Sequence, residues 1–110
     1  MNLIKDRILA LEKLGLYFQN INAENPEYQK FFECLETAKQ HNAWFQLNQC
    51  LAAFKVWGEA LTKEKINKWI TSYDLKETQK QKTIAVIMAG NIPLVGLHDL
   101  ISIWISGDIA

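Results

Sequence analysis

All twelve lysines and arginines of this 110-residue chain lie between Lys5 and Lys82. Residues 83–110 carry only two charged side chains, Asp99 and Asp108. A segment this poor in charge is normally buried on most of its sides. The preceding residues are amphipathic and cover one side of it at most. The expectation is therefore a core that continues beyond these residues, or a partner that covers them. Net charge is zero, with 12 basic and 12 acidic residues. That balance gives no bulk attraction for nucleic acid or for an acidic membrane, so neither is an expected partner.

Helical periodicity dominates residues 1–82, the expected helical N-terminal region. Ile4, Ile8, Leu11, Leu14 and Phe18 recur at three- and four-residue steps, which predicts a helix over 3–19. Gly15 within it either weakens the helix or lets another backbone come close. Asn25 before Pro26 reads as an N-cap with proline at the first helical position, opening a helix over about 26–40. That helix should bury Phe31, Phe32, Leu35 and Ala38. Trp44 and Phe45 interrupt the polar stretch "QHNAWFQLNQ" and read as rings anchoring a loop, or as recognition of a partner. A third helix over about 48–61 should turn Leu51, Phe54 and either Trp57 or Val56 inward. Thr62 caps a fourth, with Ile66, Trp69, Ile70 and Tyr73 on it. "DLKETQKQK", residues 74–82, reads as a solvated linker or helix ending. No stretch reads as a secretory signal or a membrane span, and Cys34 and Cys50 fit no disulfide or metal framework. The expected compartment is cytoplasmic.

At Thr83 the period changes. "TIAVIMA", residues 83–89, is an unbroken apolar run rich in β-branched residues and suits a buried strand of a parallel sheet. "GNIP" turns, "LVGLHDLISIWIS" makes a nearly all-apolar helix, and Gly107 caps it. Residues 83–110 thus read as the first strand, turn and helix of an incomplete nucleotide-binding domain. One strand and one helix do not make an independent domain. This predicts a truncated domain, or one that needs a partner to complete its sheet. Self-association is a further expectation.

Ligands of open α/β sheets bind beyond the carboxyl ends of the strands, which here means Ala89, Gly90, Asn91, Ile92 and Pro93. Asn91 offers a neutral amide donor suited to an oxyanion, or one that ties the turn together. His98 reads as a hydrogen-bonded helix histidine or as a base. His41 reads as a helix-end residue, and neither cysteine has an identifiable base. Common phosphate, dinucleotide and zinc-protease motifs are missing.

At "VIMAGNIPLVGLHDLISIWISGD" the sequence resembles the N-terminal part of the acyl-CoA reductases, fatty aldehyde-forming enzymes related to the bacterial luminescence fatty-acid reductase. "WF" at Trp44-Phe45 and "LTKEKINKWITSY" at 61–73 extend the resemblance over essentially the whole chain. The aldehyde dehydrogenase superfamily is the wider relative. The resemblance implies an α/β parent fold of aldehyde dehydrogenase type, of which this fragment supplies mainly helices and one strand of a Rossmann-like parallel sheet. It implies an NADPH-dependent oxidoreductase that converts an acyl-CoA to an aldehyde through a cysteine thioester. The cysteine would lie outside this chain, leaving the chain inactive alone. Asn91 would be the catalytic oxyanion donor, with Ala89, Gly90, Ile92 and Pro93 bordering the cofactor. The competing expectation is a small helical protein-interaction module whose C-terminal strand pairs with a partner.

Overall fold

The computed structural model describes residues 4–77 and 80–110. Helix α1 spans Ile4–Gln19, a single 3-10 turn Pro26–Tyr28, α2 Gln29–His41, α3 Leu47–Ala60, α4 Lys63–Ile70 and α5 Leu97–Ile105. The predicted helices all form, within one to three residues of their expected ends. Residues 1–3, where the first was expected to begin, and Thr78 and Gln79 of the solvated stretch lie outside the described residues.

Local chemistry explains the boundaries. Asn25 accepts from the Glu27 amide at 3.0 Å, and Pro26 follows it, so the turn into α2 starts where a proline costs no hydrogen bond. Thr62 accepts from the Lys65 amide and satisfies a donor that the first turn of α4 leaves open. Gly107 ends α5 at φ +95°. Its amide bonds the Trp104 carbonyl at 3.0 Å, and the Asp108 amide bonds that of Ile103 at 3.2 Å. These are the two bonds of a Schellman motif, whose left-handed residue favours glycine.

The core gathers Leu11 and Phe18 of α1, Leu61, Ile66 of α4, and Ile101 and Ile105 of α5. Helix α1 is central, packing most extensively on α3 and also meeting α4 and α5. Two glycines set its closest approach. A Cβ on Gly15 would stand 2.3 Å from the Leu61 carbonyl oxygen, and one on Gly58 would stand 3.0 Å from the Gln19 nitrogen. Gln19 Nε2 also donates to the Gly58 carbonyl at 2.8 Å. Of the two roles open to Gly15, the close backbone approach is the one observed. Tyr17, Phe18, Tyr28, Phe31 and Phe54 pack as a tilted and edge-on series joining α1, α2 and α3.

Several expectations are corrected. The α/β assignment is the largest. Among the described residues there is no strand and no sheet, only an isolated parallel bridge between Thr83 and Ile109. The physical reason is a missing ladder. A strand exists through the neighbours it bonds, and the described residues offer "TIAVIMA" one residue to pair with. The run is accordingly not buried: Ile87 is 99% exposed, and none of residues 83–89 is fully buried. Trp44 is 67% exposed and does not anchor its loop, whereas Phe45 is half-buried. Trp57, not Val56, takes the inward position on α3, and Tyr73 faces water.

Candidate functional site

The surface that stands out is the run from Thr83 through the turn into α5. Its start is clamped. The Ile84 amide donates to the Ile109 carbonyl and the Ile109 amide to the Lys82 carbonyl, both at 2.8 Å. Asp108 Oδ1 accepts from the Lys82 amide at 2.8 Å, and Gln81 Nε2 donates to the Gly107 carbonyl. Residues 84–89 then run without turn, bend or helix. No hydrogen bond engages the backbone of 85–89 among the described residues. At the far end Asn42 Nδ2 donates to the Gly90 carbonyl, tying the turn to the end of α2.

One face of this run is covered and the other is not. The Met88 side chain lies over buried Gly96, where a Cβ would come within 2.3 Å of it. Ile84 and Met88 are 37% and 46% exposed, against 99% for Ile87. Even-numbered side chains therefore lean toward α5 and its entry, and Ile87 points away. Exposed Ile92 and Val95 extend the apolar patch across the turn. Leu94, at φ 59°, holds a left-handed conformation that costs a bulky residue roughly 1–2 kcal/mol.

Of the residues predicted for a cofactor site, Ala89, Gly90, Asn91 and Ile92 are exposed and Pro93 is half-buried. They are neighbours in one turn. The Asn91 side chain makes no hydrogen bond among the described residues, so the turn is tied by Asn42 instead. His98 is exposed, its ring 5.9 Å from that of Trp69 and 6.4 Å from that of Trp57, and the ring nitrogens have no hydrogen-bond partner among the described residues. It is an aromatic-packed residue, not the hydrogen-bonded one expected. Cys34 is exposed, and Cys50 is buried with its thiol pKa raised by desolvation. A groove of about 640 Å³ lies between α1, α5 and the tail, walled by Leu11, Leu14, Leu97, Leu100 and Trp104.

The oxidoreductase expectation is overturned here. A Rossmann-type site needs the carboxyl edge of a parallel sheet to hold a dinucleotide, and the described residues build helices and one bridge. They also contain no group of three or more histidine, cysteine, aspartate or glutamate residues placed to hold a metal. The reading as part of an acyl-CoA reductase, with its aldehyde dehydrogenase-like fold, is withdrawn. No helix among the described residues is long and apolar enough to cross a membrane. Periodicity had located the apolar run but missed both its tether, Asn42, and the exposure of Ile87, because each depends on contacts distant in sequence. No protein-family model, no curated protein and no solved structure matches this chain.

Proposed function

We propose that this chain is a helical protein-interaction module that presents residues 83–89 as a strand to pair with an extended segment of a partner. One observation carries the reading: an uncharged apolar run with free backbone groups, held at both ends, with Ile87 99% exposed. Strand addition uses those groups for affinity and alternate side chains for specificity. Covering Ile87 alone contributes about 1.5–3 kcal/mol. The helices supply the scaffold and α5 covers one face, leaving edge and outer face for the partner. The two unpaired thiols, one exposed, favour the cytoplasm as the place where it acts.

The test is site-specific photo-crosslinking in cells from position 87, with exposed Val56 on α3 as the control position. Crosslinks from position 87 should land on one extended segment of the captured protein. They should disappear with Ala85→Pro, which removes an edge donor without touching a helix. Equal yields from the two positions, or yields indifferent to Ala85→Pro, would overturn the reading.

A further inference from the structure

The strand-addition reading leaves the partner's identity open, and the run itself narrows it. We infer that residues 84–88 pair antiparallel with the same residues of a second copy, across a two-fold axis at Val86. This rests on the strand-addition reading and adds the occupant and the register.

Hydrogen bonding picks the edge. The Lys82 carbonyl and the Ile84 amide both face Ile109. Successive residues of a strand point their backbone groups to opposite edges, so in strand geometry those of Thr83, Ala85 and Ile87 face the other edge. That edge is open. Side-chain size picks the register. Centring on Val86 sets Ile87 of one copy opposite Ala85 of the other, a large side chain against a small one, in two symmetry-related pairs. Ile84 meets Met88, and Val86 meets itself. Other centres lose this match: centring on Ile87 opposes the two largest exposed side chains of the run.

Charge permits two copies to meet. No lysine, arginine, aspartate or glutamate occurs from Thr83 to His98, so no like charges are brought opposite each other. Edge strands are usually protected by lysine or proline within them. Here Lys82 and Pro93 flank the run and leave its middle unguarded. A ladder this short buries less than the roughly 800 Å² per partner of a stable interface. The expected species is therefore a reversible dimer, closed by its own symmetry.

Engineered cysteines read the register. The background carries Cys34→Ser to remove the exposed native thiol. Across the axis, Val86 forms a non-hydrogen-bonded pair with Cα atoms about 4.5 Å apart, inside disulfide range. Ala85 and Ile87 are each displaced from their own symmetry mates by about 8 Å, outside that range. Val86→Cys should therefore oxidise to a covalent dimer at least about 10-fold faster than Ala85→Cys or Ile87→Cys. Sedimentation of the unmodified chain should show a concentration-dependent dimer, lost in Ile87→Lys with helix content unchanged. Exposure alone predicts the reverse order, with position 87 fastest. That order, equal rates, or a monomer at all concentrations would overturn self-pairing. If self-pairing fails while Ala85→Pro still abolishes in-cell crosslinks, strand addition to another protein stands. If both fail, both readings fall.

Discussion

Replacing Gly15 with alanine sets two physical effects against each other, and the structure says which wins. In a solvent-facing helix the change is favourable by about 0.8–1.0 kcal/mol, since alanine restricts the unfolded chain and prefers the helix. Gly15, however, lies against Leu61, whose carbonyl oxygen would stand 2.3 Å and whose Cβ 2.8 Å from the new methyl group. Ordinary contact begins at 3.4 Å, so α1 or Leu61 must move by about 1 Å in a close-packed interior. Leu61 cannot yield cheaply. It is 4% exposed, belongs to the core, and immediately precedes the Thr62 cap of α4. Overpacking of this kind costs about 1–3 kcal/mol, and a backbone obstacle places the cost at the upper end. The net expectation is destabilisation by about 1–2 kcal/mol. Near the midpoint that corresponds to a fall in Tm of roughly 4–8 °C. Urea denaturation followed by circular dichroism measures it, with Gly90→Ala as the control because a Cβ there meets nothing within 4 Å. A Gly15→Ala protein as stable as the parent, or more stable, would refute the close-approach argument.

Two further outcomes follow from burial. Ile66 is 2% exposed at the centre of the core, so Ile66→Ala should cost about 2–5 kcal/mol in the same denaturation assay. Burial raises the pKa of the Cys50 thiol, so the folded chain holds that proton more tightly than the unfolded chain does. The resulting stability is complete below the ordinary thiol pKa and is lost as pH rises through that value toward the raised one. Stability measured upward from neutral pH should fall in that window, with a shallower fall in Cys50→Ala.

The helices were legible because their signals are local. Asn25-Pro26, Thr62 and Gly107 act within four or five residues of themselves, the first two opening an element and the third closing one where the sequence placed it. The core positions Leu11, Phe18, Leu35 and Ile66 follow from a 3.6-residue period for the same reason. "TIAVIMA" was legible only in part. β-branched residues state a preference for a pleated, half-buried surface, and the preference does not name the strand that will satisfy it. That preference predicts one buried strand of a parallel sheet, whereas the described residues supply a single rung. Trp44 failed differently: an aromatic ring is equally at home in a core and on a surface, and its neighbours in space decide. The candidate site was therefore found as a stretch and misread as a pocket. Its outward face, the Asn42 tether and the ring packing of His98 all arise between elements far apart in the chain.

Fastening the run at both ends changes what pairing would require. Thr83 is held beside Ile109, and Gly90 is held by Asn42. A loose tail ordering as a strand loses roughly 1–2 kcal/mol of backbone entropy for each residue it fixes. Residues 84–89 resemble a bowstring more than a tail, since their ends are already spaced and their path contains no turn or bend. Part of that loss is thus met when the chain folds, and a weak ladder can capture the run. Cutting the string at one end with Asn42→Ala leaves every apolar side chain of the run in place but should slow its capture. Much of the strength of such a contact would then be set some fifty residues away in sequence, at the end of a helix the partner never touches.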